Sequence, residues 1–204
     1  MTAPKIVTPT TLANQHAELV PLTQAHCADL QIAVGDLHTL WYTWVPTPDN
    51  MAVEIERRLS LQVDGKMLPF AAIDPATGKA VGMTTYMNID ATHQRLEIGS
   101  TWTSATMQRT VFNTACKHLL LKHAFEALGC IAVELRTHRL NAQSRRAIER
   151  IGAQLDGILR NHMTLPNTVT GSYPLLRDTA VYSIIQSEWA SINAHLSHQM
   201  ARVL

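Results

Sequence analysis

Cysteine, excess charge and long apolar runs are all scarce in this chain, and each scarcity removes a class of protein. Cys27, Cys116 and Cys130 lie far apart, with no Cys-x-x-Cys pair. An odd, scattered set does not build a disulfide framework, so reduced thiols in a reducing compartment are expected. The 17 Lys and Arg barely outnumber the 16 Asp and Glu, leaving a formal charge of +1. A nucleic-acid binder would carry a basic excess, and none is expected as a partner. The longest aliphatic stretch, around Leu119-Leu120-Leu121, is far too short to span a bilayer. The start, Met1-Thr-Ala-Pro-Lys-Ile-Val, lacks the apolar stretch of a signal peptide. A soluble, cytoplasmic protein without a membrane partner is the expectation.

What is present suits one globular domain: 204 residues, 46% of them apolar. Residues 1–16 read as an irregular lead-in rich in Thr and Pro, and residues 17–204 as a single domain. The ten histidines do not have metal-ligand spacing. His118 and His123 fall on different sides of a helix, and His195 and His198 lack a third ligand, so no metal is expected.

The pattern predicts a strand over Glu18–Leu22, then a helix from Thr23 to about Gly35 with Thr23 as its cap. The aromatic segment Trp41-Tyr-Thr-Trp-Val-Pro follows. A second helix fits Met51 to about Val63, presenting Val53, Ile55, Leu59 and Val63. Leu68–Ile73, then alternation at Val81, Met83, Thr85 and Met87, then at Leu96, Ile98, Ser100 and Trp102, predict an antiparallel meander. Asn113 is the expected cap of a helix running to about Leu128, stopped by Gly129. A strand over Ile131–Thr137 completes a right-handed βαβ unit. A helix from Asn141 to Gly152, strands Gln154–Met163 and Thr179–Ile185, and a helical tail from Ser187 close the chain.

Three runs make this order specific. They are Leu96-Glu-Ile-Gly-Ser-Thr-Trp102, Gln108-Arg-Thr-Val-Phe-Asn-Thr114 and Asn141-x-x-Ser-Arg-Arg-Ala-Ile-Glu-Arg-Ile-Gly-Ala153. With Arg160-Asn-His-Met163 and Arg177-Asp-Thr-Ala-Val-Tyr-Ser183, they resemble the acyl-CoA-binding core of GNAT acetyltransferases, closest to the RimJ/RimL-like branch. The resemblance runs from about residue 17 to 190. It implies an α/β fold: a mixed, mostly antiparallel sheet with a central βαβ unit, splayed strands and flanking helices. It also implies acetyl-CoA as cosubstrate, without a metal, and direct acetyl transfer to a primary amine of a small molecule or a protein N-terminus. A catalytically silent acyl-CoA-binding or regulatory protein is the alternative.

A loop running into a helix offers free N–H groups and the positive end of the helix dipole to a pyrophosphate. Gln108, Arg109, Thr110, Val111, Phe112, Asn113 and Thr114 occupy that place. By resemblance, the backbone of Trp102 and Thr103 binds the pantetheine arm like an added strand, Asn141 contacts pantetheine, and Ser144 approaches the thiol. Many relatives have glycine at Val111 and often near Arg109. Valine at positive φ costs about 1–3 kcal/mol, so either the loop runs with ordinary φ values or its grip on the cofactor is altered.

Glu97 is the candidate base, able to take the ammonium proton through water; the plain alternative is a structural strand glutamate. Ser144 could donate to the departing thiolate, or Asn141 and Ser144 could merely cap a helix. Trp41, Tyr42 and Trp44 either wall the acceptor pocket or cover the core. Cys116 reads as a buried helix thiol and Tyr182 as structural. The segment Thr164–Leu176 is expected to be a mobile flap or an oligomer contact, as in a homodimer, beside the acceptor site.

Overall fold

The computed structural model describes residues 7–165 and 175–202. Its eight strands form one sheet. They are β1 (Leu12–Ala13), β2 (Glu18–Pro21), β3 (Met67–Ile73), β4 (Ala80–Asp90), β5 (Arg95–Thr103), β6 (Ala132–His138), β7 (Gln154–Leu165) and β8 (Leu175–Ile185). The order across the sheet is β1-β2-β3-β4-β5-β6-β8-β7, and β5–β6 is the parallel pair among antiparallel ones. Helices α1 (Cys27–Val34), α2 (Met51–Val63), α3 (Phe112–Lys122), α4 (Ala142–Arg150) and α5 (Trp189–Ala201) flank it. The expected meander is β3-β4-β5, and the expected βαβ unit is β5-α3-β6.

Two apolar clusters sandwich the sheet. One packs Phe70, Leu96, Ile98 and Val133 against Phe112, Leu120 and Trp189 from α3 and α5. The other packs Ala71, Met83 and Trp102 against Leu30, Val34, Met51 and Ile55 from α1 and α2. Strand β3 is buried at every position because helices cover both its faces.

Several elements differ from the sequence expectation. The lead-in contains β1, paired with β2 at Leu12↔Leu19. The first helix opens with a 3-10 turn over Gln24–His26, and the Thr23 N–H donates to His26 Nδ1 at 3.1 Å. On α2, Val53 and Val63 point to solvent. The buried face is Met51, Glu54, Ile55 and Arg58, because an internal ion pair takes positions that apolar residues would normally fill. Asn113 lies within α3 rather than capping it. Val111 is the N-cap, and the Phe112 N–H donates to Thr110 Oγ1 at 3.2 Å, so Thr110 satisfies the first donor.

Helix α3 ends early, and His123–Ala127 winds as a π-helix. The Tyr86 hydroxyl donates to the Leu120 carbonyl at 2.6 Å, inside the helical ladder. A side chain inserted there is a recognised cause of such a widened turn. Strands β7 and β8 run further than the alternation suggested, pairing Thr164↔Leu176 and Leu165↔Leu175. The ends of the supposed flap are therefore strand, and residues 166–174 lie outside the described residues.

Candidate active site

The site is a fork in the sheet. The β5–β6 ladder pairs Arg95↔Ala132, Leu96↔Val133 and Glu97↔Glu134, and goes no further. Beyond that point β5 continues to Thr103, while β6 continues to His138 against β8. The splaying expected from the resemblance is thus present, with Glu97 at its apex. A parallel pair that separates leaves main-chain N–H and C=O groups facing the gap, which an extended ligand can use as a strand would.

Glu97 alternates with Leu96 and Ile98 and so faces away from α3. It is 5% exposed. Its Oε2 accepts the Asn88 side-chain N–H at 2.8 Å and lies 3.3 Å from Arg136 Nε. Burial raises its pKa, while Arg136, the Asn88 hydrogen bond and Arg177 pull against that rise. A carboxyl so placed is a better proton acceptor than a solvated glutamate. Gly99 keeps room for it, since a Cβ there would lie 2.8 Å from Glu97 Oε1 and 2.7 Å from Met87 Sδ.

Next to Glu97 stands a charged row that sequence reasoning did not find. Glu134 pairs with Arg95 and accepts Arg136 Nη2 at 2.7 Å. His138 follows two residues later on the same face. The Leu140 N–H donates to His138 Nδ1 at 3.0 Å, so the neutral ring carries its proton on Nε2. Burial, and then Arg177, hold the His138 pKa down. Buried Arg177 Nε has no hydrogen-bond partner among the described residues. Period-two spacing at Glu134, Arg136 and His138 was visible in the sequence; their alignment with Glu97 needed the parallel register.

Trp41 reaches this row. Its ring meets His138 edge-on at 5.5 Å and Tyr42 at the same spacing. Trp41 is 38% and Trp44 52% exposed, and both line a hollow with His38, Leu40, Thr43, Val45 and Leu165. The Trp41 and Trp44 rings are therefore partly open to solvent, while Val45 of the same segment joins the α1/α2 apolar cluster.

The residues expected to hold the cofactor's pyrophosphate lie at the start of α3. After a 3-10 turn over Ala105–Met107, Arg109 takes φ +62° and Val111 an ordinary −66°. Of the two options left open by the missing glycines, Val111 takes ordinary φ, and the left-handed residue is Arg109. The first helical bond is Ala115 N–H to the Val111 carbonyl at 2.9 Å, so the N–H groups of Asn113 and Thr114 precede the ladder. Gln108 Nε2 donates to the Thr103 carbonyl at 3.3 Å, and Gln143 Nε2 donates to Gln108 Oε1 at 3.2 Å, tying loop, β5 and α4 together. Phe112 and Thr114 have buried side chains, the latter accepting Arg150 Nη2 at 3.2 Å. Trp102 turns its side chain into the α1/α2 cluster.

Asn141 caps α4, its Oδ1 accepting the Ser144 N–H at 3.0 Å. The half-buried Ser144 sits one turn inside the helix. Cys116 is buried, which pushes its thiol up to about 12. Tyr182 is buried too, its hydroxyl accepting Arg145 Nε and donating to Glu149 Oε1, both at 2.8 Å. Among the described residues no three His, Cys, Asp or Glu side chains converge, and no helix is long and apolar enough to cross a membrane.

A sequence model of the acetyltransferase (GNAT) domain matches residues 16–154. A GCN5-related N-acetyltransferase from Brucella melitensis is 31% identical, covering 98% of this chain and 89% of its own, with TM-score 0.84. The chain belongs to the GNAT acetyltransferase family. GNAT enzymes use acetyl-CoA, and the forked sheet and helix start suit that ligand. The fold is shared with RimJ of Mycobacterium smegmatis, solved with CoA-disulfide, at 21% identity and TM-score 0.77, covering 95% of this chain and 96% of that one. It is shared with the ribosomal-protein-S5-alanine acetyltransferase of Vibrio fischeri at 14% identity and TM-score 0.67, covering 88% and 98%. A comparison with curated protein sequences found no match.

Proposed function

We propose that this GNAT protein transfers an acetyl group directly from acetyl-CoA to a primary amine, of a small molecule or of a protein N-terminus, with Glu97 as the proton acceptor. The observation that carries this is the buried carboxyl of Glu97 at the apex of the β5–β6 fork. In this reading, the backbone of Trp102 and Thr103 pairs with the pantetheine arm. The residues from Gln108 to Thr114 hold the pyrophosphate with N–H groups and the charge of Arg109. Asn141 Nδ2 donates to pantetheine.

Glu97 accepts the proton lost by the amine as its nitrogen bonds the thioester carbonyl carbon, directly or through one water. The C–S bond breaks in the same transfer. The Ser144 hydroxyl donates a hydrogen bond to the departing thiolate, acting more as a stabiliser of charge than as an acid. Trp41, Tyr42 and Trp44 wall the acceptor. A silent acyl-CoA binder was suggested by the loop without glycines; with Val111 at ordinary φ, that motive weakens.

The test is a panel of amines offered with acetyl-CoA and read by release of free thiol. The named activity of the ribosomal-protein acetyltransferases sharing the fold puts short peptides with free N-termini first in the panel. Thiol release dependent on one amine class, with the acetylated amine found by mass spectrometry, is expected. Tight acetyl-CoA binding without transfer to any amine would establish the silent protein instead.

A further inference from the structure

Two buried cations hold an irregular point of β5, from opposite faces of the sheet. Between Met83↔Trp102 and Thr85↔Gly99, β4 has one residue and β5 has two, Ser100 and Thr101. That extra residue is a β-bulge. Ser100 takes φ +47°, a conformation that favours glycine. The bulge reverses the facing of the strand. Ile98 packs toward α3, whereas Trp102 packs toward α1 and α2; uninterrupted alternation would put both on one face. It therefore sets the relation between Glu97 on one side and the main chain of Trp102 and Thr103 on the other.

On the α2 face, Arg58 Nη1 and Nη2 both donate to the Ser100 carbonyl at 3.1 Å. Arg58 Nη1 also donates to Thr85 Oγ1 at 3.3 Å, and Nε to Glu54 Oε1 at 2.7 Å. The side chains of Arg58 and Glu54 are each 2% exposed. On the α3 face, buried Lys117 Nζ donates to Thr101 Oγ1 at 3.1 Å. Thr101 Oγ1 also bonds Thr84 Oγ1 at 2.7 Å and donates to the Gly99 carbonyl at 3.2 Å. Buried ions are a poor source of stability compared with apolar groups of like volume, but they specify geometry, because few arrangements satisfy them.

We propose that Arg58, braced by Glu54, and Lys117 are positioning residues that clamp the Ser100–Thr101 bulge and thereby align the cofactor-binding backbone of β5 with Glu97. The part concerning catalysis rests on the acetyl-transfer reading; the clamp itself does not.

Two measurements separate these on the full chain. The first is amide hydrogen exchange by mass spectrometry, which needs no ligand. Arg58→Lys and Lys117→Met should each speed exchange across residues 98–104 at least tenfold, leaving 67–73 unchanged. The second is calorimetry with acetyl-CoA. Both variants should bind it at least tenfold more weakly while melting cooperatively. Ser100→Gly, which accepts positive φ without restraint, should restore at least a third of the lost affinity to Arg58→Lys. Folded variants with wild-type exchange at 98–104 and wild-type affinity overturn the clamp. So does a uniform speeding of exchange over the whole sheet, which marks a merely structural role, or the absence of any rescue by Ser100→Gly. If Arg58→Lys fails to fold, Lys117→Met decides by the same two readings. Wild-type protein that binds no acetyl-CoA overturns the transfer reading, and exchange alone then decides the clamp.

Discussion

At the scale of single residues, Glu97 carries the most chemistry. An alkylammonium has a pKa of roughly 10.4, so little neutral amine exists at pH 7, and a carboxylate beside it removes that obstacle. Glu97→Gln is expected to lower kcat by about 10²–10⁴-fold, the usual range for general acid–base help, with acetyl-CoA affinity unchanged by calorimetry. The loss should shrink as pH rises. Because burial raises the Glu97 pKa above its ordinary 4.5, the acidic limb of the wild-type rate profile should fall above the range of a solvated glutamate. The same shift has a sign for stability. The folded state holds the Glu97 proton more tightly than the unfolded state, so this contribution is present below pH 4.5 and is lost as pH rises through the raised value. Urea midpoints of wild type and Glu97→Gln should therefore diverge across that interval, the variant gaining as pH rises; parallel curves would contradict the shift. Cys116 makes the opposite point: a thiol pushed up to about 12 by burial is no nucleophile at neutral pH.

At the scale of elements, the start of α3 is the most informative. A chain without glycine there still turns, because Arg109 adopts the left-handed conformation and Thr110 receives the first N–H of the helix. Arg109 thereby presents a cation beside free helical N–H groups, where a pyrophosphate would sit. Arg109→Glu is expected to weaken CoA binding several-fold, roughly in line with surface charge pairs of up to about 1 kcal/mol each, while pantetheine lacking the phosphates is bound equally by both proteins. An equal loss for both ligands would place Arg109 elsewhere. The π turn at His123–Ala127 has a similar local cause in Tyr86. Tyr86→Phe removes that hydroxyl and should cost about 1 kcal/mol, or about 2–4 °C in Tm for a chain of this size.

At the scale of the whole molecule, the sheet is held from both sides by apolar clusters, yet Glu54, Arg58, Glu97 and Lys117 are buried too. Lys117 is the clearest. Burial depresses its pKa to about 8 from 10.5, against the pull of Cys116 and Glu97. The unfolded chain thus binds more protons than the folded one between these values, and stability attributable to Lys117 rises with pH across them. Wild type should gain on Lys117→Met in urea midpoint between pH 8 and 10.5, and show no advantage near neutrality, where the charged amine is buried at a cost. A wild-type advantage that is constant with pH would show that Lys117 does not titrate there.

The order of elements was legible from the sequence because it depends on local periodicity and punctuation. Met51–Val63 was read to its residues, Asn141 was read as the cap of α4, and the glycine at 129 was read as a stop, where the structure gives φ +72°. What the local pattern could not carry was contact between distant strands. Val53 and Val63, grouped from the sequence with Ile55 and Leu59, are solvent-facing, since only the packed sheet reveals that Arg58, paired with Glu54, has a carbonyl to serve at Ser100. Glu97 could be singled out as a candidate base from its motif, but its burial and its neighbours Asn88, Arg136 and Arg177 could not. Composition and periodicity determined which segments are helix and which are strand, since each depends on a few adjacent side chains. The fork, the bulge and the environment of the carboxyl were decided only by tertiary structure, because they arise from register between strands: β5 with β6 across helix α3 for the fork and the carboxyl, and β4 with β5 for the bulge.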